Sequence, residues 1–146
     1  MRLLERLLRE VGSQMEVGEV YRLGPRRFKD PVEEPLDLPG LVYTGFYLGR
    51  TKRRFQPSSP LLQHLAKEDH THKAYVDRRG AWLFLVGKDL FEESLLGLSE
   101  GARPGRCCLV VYGGRCLGYG RLETRWERRV VTNLFNLGDF LHRESQ

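Results

Sequence analysis

The sequence of 146 residues lacks the features that mark membrane and secreted proteins. No apolar run approaches the roughly 20 residues that a membrane-spanning helix needs. Charged residues interrupt the first ten positions, where a secretory signal has its apolar core. Cysteine occurs only at Cys107, Cys108 and Cys116, and this odd count within apolar runs predicts reduced core thiols. We therefore expect a soluble, cytoplasmic protein that does not bind membranes.

The usual signatures of metal centres and active sites are also missing. The sequence has no C-x-x-C pair, and its only cluster of acidic residues and histidines, Glu68–His72, lies in a polar stretch typical of a linker. No glycine-rich cofactor loop follows a predicted strand. We predict that His70 and His72 are solvated. We also predict no metal, no cofactor and no catalytic residues, so the chain is not expected to be an enzyme.

Positive charge is in modest excess. The chain contains 24 Lys and Arg against 19 Asp and Glu, which gives a net charge of +5 and a pI of about 9.3. Of the 24 cations, 19 are arginine. The planar guanidinium group suits phosphates and stacked bases better than the point charge of lysine does. This composition favours a polyanionic partner.

Two basic segments lie beside aromatic residues, a pattern typical of surfaces that contact phosphates and stack bases. The first, Gly49–Arg54, follows the apolar run Leu41–Leu48, and the second forms a charged turn between two apolar runs near the end of the chain. A solvated hairpin loop is the alternative for the first segment. The candidate contact cations are Arg50, Lys52, Arg53, Arg54, Arg125, Arg128 and Arg129, and the candidate stacking rings are Tyr112, Tyr119 and Trp126.

The periodicity of the sequence predicts an α+β protein with two small domains, residues 1–71 and 72–146. The first is a small α/β domain with an antiparallel sheet, which opens with an amphipathic helix at Arg2–Val11. A connection rich in proline, from Pro25 to Pro39, is expected to contain no helix. The predicted strands are Val17–Leu23, Leu41–Leu48, Ala74–Val76, Cys107–Tyr112, Cys116–Gly120 and Arg129–Phe135.

Two further helices have recognisable starts. Ser59 is the predicted cap of a helix with Pro60 at its first position, and Asp77 is the predicted cap of a helix at Arg78–Val86. The run Trp82–Val86 is apolar on all sides, which predicts a largely buried helix. Trp82 is therefore expected in the core rather than on a base-stacking surface.

Residues 97–123, GLSEGARPGRCCLVVYGGRCLGYGRLE, resemble the PUA domain, a small RNA-binding pseudo-barrel found in pseudouridine synthases and archaeosine transglycosylases. Four segments, in the same order and at similar spacing, further resemble the Nip-type ribosome-biogenesis proteins. They are LVYTGFYLGRTKRRFQPSSPLLQHL (Leu41–Leu65), WLFLVG (Trp82–Gly87), LVVYGGRCLGY (Leu109–Tyr119) and LGDFLHRE (Leu137–Glu144). The resemblance covers residues 40–146.

This resemblance implies that residues 72–146 form a PUA-type β pseudo-barrel after an N-terminal pre-PUA domain. It implies a monomeric, non-catalytic protein, in its archaeal form, that assists ribosomal RNA processing and large-subunit biogenesis. The implied partners are single-stranded, U-rich precursor RNA and ribosome-assembly or exosome-associated proteins, in the nucleolus if the source is eukaryotic. The implied RNA surface on the PUA sheet comprises Arg125, Arg128 and Arg129, and Trp126 in the same tip either stacks on a base or covers the barrel rim. Arg121, on the same strand face as Arg125, and Lys88, in the turn after Gly87, are further candidate RNA contacts.

Two other classes of function remain open from the sequence. The first is a protein–protein adaptor in a ribosome-assembly or RNA-decay complex, for which exposed apolar strand edges would serve. The second is the targeting module of an RNA-modifying enzyme, although a catalytic domain of ordinary size does not fit into the first 71 residues.

Overall fold

A computed structural model describes residues 2–15, 20–23, 25–29, 46–51 and 53–138. Some predictions lie outside the described residues. These are the contact residue Lys52, positions 17–19 and 41–45 of two predicted strands, and positions 139–144 of the C-terminal segment. Among the residues that the structure describes, no helix is both long and apolar enough to cross a membrane.

The described residues form three helices and two sheets. The helices are α1 (Arg2–Glu10), α2 (Ser59–Lys67) and α3 (Arg78–Leu85), and a 3-10 turn occupies Glu92–Ser94. The strands are β1 (Val20–Leu23), β2 (Arg26–Lys29), β3 (Phe46–Thr51), β4 (Phe55–Pro57), β5 (Lys73–Val76), β6 (Leu90–Phe91), β7 (Leu95–Leu98), β8 (Cys107–Tyr112), β9 (Arg115–Arg125) and β10 (Arg128–Asn136).

The first four strands form an antiparallel sheet in the order β1-β2-β3-β4. The other six form a sheet in the order β6-β10-β9-β8-β5-β7, in which β5 and β8 are parallel. The predicted α+β class is confirmed, with a small N-terminal part ahead of a larger, mostly antiparallel sheet. The predicted boundary at residue 71 stays a prediction.

Both faces of the six-stranded sheet are covered, because successive side chains of a strand point to opposite sides. On one face, Cys107 and Leu109 pack with the apolar stripe of α1 and with three leucines of α2. On the other face, Cys108 and Val110 pack against Ala81 and Phe84 of α3. The three cysteines are buried and free, as predicted. Helix α1 therefore brings its polar flank to the edge of the first face.

The structure corrects two local predictions in the first half. Strand β2 lies within the predicted connection and pairs with β1, with Leu23 opposite Arg26. Its sequence, RRFK, is too charged to give an apolar strand pattern, and tertiary pairing decides its conformation. The cap of α2 is Ser58 rather than Ser59, because the Ser58 hydroxyl accepts the Leu61 amide at 3.1 Å. Asp77 caps α3 as predicted, accepting the Gly80 amide at 2.7 Å.

The prediction that Trp82 is buried was wrong. Its side chain is 62% exposed, and Val86 is 51% exposed. Helix α3 has only eight residues and buries Gly80, Ala81 and Phe84 against the sheet. An apolar run on a helix that packs by one face must leave its remaining side chains in solvent.

The prediction that His72 is solvated was also wrong. His72 is buried, its amide donates to the Val11 carbonyl at 2.8 Å, and its Nδ1 lies 3.3 Å from the Cys107 carbonyl oxygen. A Cβ at Gly12 or Gly101 would lie 2.7 Å from the His72 ring, so both glycines make room for it. His72 is a packing residue between the end of α1 and the sheet. Within the described ranges, no group of three metal-binding side chains comes together.

Candidate nucleic-acid interface

Strand β9 carries both surfaces of interest. It runs from Arg115 to Arg125, five residues beyond its predicted end. Its residues Tyr119, Arg121, Glu123 and Arg125 share one face of the sheet, and the neighbours Gly120 and Leu122 between them are buried. Glycines flank Tyr119 because a side chain at Gly118 would collide with the carbonyl of Phe135 on β10. The same face of β9 therefore borders a groove at Tyr119 and a hairpin tip at Arg125.

The groove is a cavity of about 330 Å³ between α1, the turn after β3, and the strands β9 and β10. Three arginines and one carboxylate give it a local charge of +2, above an apolar and aromatic floor. Arg6 and Glu10 lie one helical turn apart on the flank of α1 and form an ion pair of 3.1 Å. The groove residues are Leu3, Arg6, Leu7, Glu10, Arg54, Phe55, Tyr119, Arg121 and Leu134.

A buried, uncharged thiol contacts the groove residue Glu10. Cys107 Sγ donates to Glu10 Oε2 at 3.3 Å. The pKa of Cys107 is raised to about 11 by burial and, to a smaller extent, by Glu10, while Arg121 opposes the rise. Burial also raises the pKa of Tyr119, whose ring stacks on Phe135 with centroids 6.0 Å apart. At neutral pH the floor is therefore neutral, and the net positive charge comes from the rim.

The hairpin tip comprises residues 123–129. Its turn between β9 and β10 consists of two residues, Trp126 and Glu127. Trp126 and Glu127 have φ angles of +50° and +62°, the left-handed conformation that a type I′ turn requires at both positions. Asn and Gly are the residues that usually fill such a turn, so this sequence holds a bulky ring where the backbone disfavours it. Trp126 is 88% exposed, which places the ring in solvent.

Two of the three arginines of the tip, Arg125 and Arg128, are paired with acidic residues of the tip or of the neighbouring segment 89–93. Arg125 Nη1 lies 3.4 Å from Asp89 Oδ2, and its Nη2 donates to Thr132 at 2.9 Å and lies 3.3 Å from Glu123 Oε2. Arg128 forms an ion pair with Glu93 and lies over the Phe91 ring.

Two further contacts complete the acidic surroundings of the tip. The Arg129 amide donates to Glu92 Oε1 at 2.8 Å. The Thr132 hydroxyl donates to Glu123 at 2.6 Å and, with Arg125, holds the pKa of that carboxyl below its usual value. Residues 89–93 and 123–129 together contain five carboxylates and three arginines, a net charge of −2.

The remaining predicted contact residues lie at different places in the structure. Arg54 and Arg121 meet in the groove. Arg50 lies in β3 beside a second cavity near Phe135, and its Nε is buried with no hydrogen-bond partner among the described residues. Arg53 and Lys88 are exposed elsewhere on the surface.

Sequence reasoning missed Arg6 and Glu10 as groove residues. They belong to the polar side of the amphipathic helix α1, which is usually a solvated face. The available signal was that Arg6 and Glu10 lie four residues apart beside the leucine stripe of α1. Side chains that flank a buried stripe lie at the edge of the surface on which the stripe packs.

Comparison with known families matches residues 72–145, half of the chain, to the UPF0113 PUA domain. The chain belongs to this family. PUA domains are in general RNA-binding modules. In this UPF0113 PUA protein the matched residues include β5 to β10, so Tyr119, Arg121 and the hairpin tip belong to the PUA domain, whereas Arg6 and Arg54 precede it.

Several solved structures share the fold. A conserved PUA domain protein from Thermoplasma acidophilum is 19% identical with a TM-score of 0.57, covering 98% of this chain and 91% of that one. A PUA domain from Aeropyrum pernix, in a tartrate complex, is 17% identical with a TM-score of 0.60, covering 96% and 82%. A hypothetical protein from Pyrococcus horikoshii is 17% identical with a TM-score of 0.56, covering 99% and 93%. These likenesses show the fold alone, and no curated protein matches the chain.

Proposed function

We propose that this UPF0113 PUA protein is a non-catalytic RNA-binding protein that holds a single RNA strand in the groove. The convergence of Arg6, Arg54 and Arg121 carries the proposal. These arginines come from a helix, a turn and a PUA strand, and only the tertiary fold brings them around one aromatic floor. Guanidinium groups bind phosphates, and a half-buried ring such as Tyr119 stacks on an unpaired base.

Local charge favours the groove over the tip as the RNA site. Phosphate contacts supply most of the affinity of such an interface, and the groove is positive where the tip is negative. Arg125 and Arg128 of the tip would have to give up carboxylate partners before they could bind a phosphate.

The biological setting follows from the resemblance to Nip-type proteins. We propose that the RNA is a single-stranded ribosomal precursor and that the protein assists large-subunit biogenesis in the cytoplasm. A weak preference for U-rich strands is implied by the resemblance alone. A catalytic role is not proposed. Cys107 and Glu10 form the one thiol–carboxylate pair at the groove, and a pKa of about 11 keeps that thiol protonated and non-nucleophilic.

A protein–protein adaptor is the second candidate, and Trp126 favours it. An 88% exposed tryptophan in a strained turn is a typical interface anchor. The negative surroundings suit a basic protein surface better than RNA.

The test is the affinity for a short single-stranded RNA across a salt series. Arg54→Ala/Arg121→Ala should weaken binding at least tenfold and flatten the salt slope by about 1.4, since each lost contact to a single strand contributes about 0.7. The matched control is Arg78→Ala/Arg79→Ala, which removes the same charge from α3 on the opposite face of the sheet.

If RNA affinity weakens equally in both double variants, the effect depends only on net charge. That result would contradict the proposal that RNA binds in the groove. If the wild type binds no RNA at low salt, the RNA proposal fails and the adaptor replaces it.

A further inference from the structure

The groove contains one carboxylate among its cations. A site that binds only the phosphates of RNA does not need a carboxylate. Among the residues that the structure describes, Glu10 is the single acidic residue that lines the groove, and its side chain is 32% exposed. A carboxylate there lowers the attraction for phosphate, so in an RNA site it is better suited to contact a base.

We propose that Glu10 reads the Watson–Crick edge of one unstacked base in the groove and selects guanine over uracil. This inference rests on the proposed RNA-binding function and deepens it, because it names the base that the groove prefers. It replaces the U-rich preference that only the resemblance implies.

Two neighbours hold the Glu10 carboxylate in place. Its Oε1 accepts from Arg6 Nε at 3.1 Å, and its Oε2 accepts the Cys107 thiol at 3.3 Å. Each carboxylate oxygen has two acceptor positions, so one on each oxygen stays available for a ligand. The carboxylate is thus oriented by its protein contacts and retains a pair of adjacent acceptors.

Base chemistry then decides which nucleotide fits. A carboxylate only accepts hydrogen bonds. Guanine offers two adjacent donors on its Watson–Crick edge, the N1–H and the 2-amino group, which match the two oxygens. Adenine and cytosine each offer one amino group. Uracil offers a single N3–H between two carbonyl oxygens, and those oxygens repel the carboxylate. The expected order is guanine first and uracil last.

The size of the groove limits it to about one nucleotide. Its volume of about 330 Å³ lies at the low end of the range for small-ligand sites. Tyr119, backed by its stacking on Phe135, supplies a ring for the base. Arg54 and Arg121 on the rim supply partners for the flanking phosphates.

The experiment compares RNA 11-mers that are uridine throughout except for a central guanosine, inosine, cytidine, adenosine or uridine. Anisotropy at fixed salt gives the affinity of the full chain for each. The guanosine 11-mer should bind about tenfold tighter than the uridine 11-mer, the size of discrimination that a good bidentate base contact gives. Inosine lacks the 2-amino group and should lose most of that gain.

Glu10→Gln should tighten binding of every 11-mer, because a negative charge leaves the groove, and should reduce the guanosine preference to within twofold. Glu127→Gln removes the same charge at the tip and should keep the full preference. The inosine comparison uses wild-type protein, so it tests the inference even if Glu10→Gln folds poorly.

The outcomes separate this inference from the function on which it rests. Equal binding of all five RNAs by the wild type overturns the guanine inference and leaves the RNA groove standing. A guanosine preference that survives in Glu10→Gln, or that inosine retains in full, also overturns it. If none of the 11-mers binds, both proposals fall.

Discussion

The groove and the hairpin tip both present arginines on the same face of β9, four residues apart, yet their surroundings are opposite. Arg121 lies near a protonated thiol and beside two further arginines. Arg125 is held by two carboxylates and a hydroxyl. The groove carries +2 and the tip with its acidic segment carries −2. A count of arginines along the sequence therefore does not locate a polyanion site, because the partners that decide it come from other elements.

The groove and the tip also differ in the interactions that stabilise them. The tip is held by ion pairs and hydrogen bonds at the surface, each of which water screens. The groove floor is held by burial of Cys107, Tyr119 and their apolar neighbours. The comparison can be tested through pH, through stability and through RNA affinity.

Alkaline pH should destabilise the core of the six-stranded sheet, which supports the groove, and should not affect the tip. Burial raises the pKa of Cys107 to about 11 and of Cys108 and Cys116 to about 12, from an ordinary value of 9.0. Between pH 9 and 11 the unfolded chain loses these protons and the native chain keeps them. The free energy of unfolding should therefore fall as pH rises, by roughly 1 kcal/mol per thiol at pH 10.

Urea unfolding between pH 8 and 10 measures this slope. Cys107→Ser keeps a donor for Glu10 but does not titrate in this range, so it should remove about a third of the slope. Arg125→Ala should leave the slope unchanged. A stability that stays constant to pH 10 would contradict the assignment of these thiols as neutral core groups.

The sequence predicts the fold well where apolar periodicity is strong. The amphipathic pattern of α1, the β8 run and the capping role of Asp77 all appear in the structure. These features depend on nearest neighbours along the chain, where local propensity and burial agree. Strand β2 was missed because its charged sequence folds as a strand only through pairing with β1 and β3.

The candidate site was predictable only in part, for a related reason. Arg54 was predicted as a cation beside aromatic residues and Arg121 as a candidate RNA contact, but nothing local showed that α1 would bring Arg6 and Glu10 to them. Asp89, which pairs with Arg125, and Glu93, which pairs with Arg128, lie 35 or more residues away along the chain. Long-range contacts of this kind follow from the sheet order, in which β6 pairs with β10, and not from any motif.

Arg125→Ala should weaken the fold more than it weakens RNA binding. It removes hydrogen bonds to Asp89, Glu123 and Thr132, and with 38% exposure of the Arg125 side chain we expect a cost of about 1 to 2 kcal/mol. RNA affinity should change less than twofold. Denaturant unfolding and RNA anisotropy on the same variant give both values.

An NMR titration of the same variant adds a local readout. The Thr132 hydroxyl and Arg125 both lower the pKa of Glu123, so that pKa should rise part of the way toward its usual value. Arg53→Ala, at an exposed turn position, is the control and should leave both stability and the Glu123 pKa unaltered. A tenfold loss of RNA affinity in Arg125→Ala, with normal stability, would move the RNA site to the tip.

Releasing the tip from its acidic partners should give it some affinity for RNA. Glu92→Gln/Glu93→Gln changes the local charge from −2 to zero and leaves Arg128 without its carboxylate. We expect RNA binding to tighten about threefold and the salt slope to steepen by about 0.7, the contribution of one new contact to a single strand. The effect is small because Asp89 and Glu123 still hold Arg125.

The matched control for that variant is Asp69→Asn/Glu100→Gln, which changes the net charge equally at exposed positions outside the tip. An equal gain in both would show that overall charge, not pairing, sets the affinity. No gain in either would mean that the arginines of the tip are badly placed for an RNA strand even when free. A gain confined to the tip variant would show that acidic pairing is what keeps one group of arginines on β9 from acting like the other.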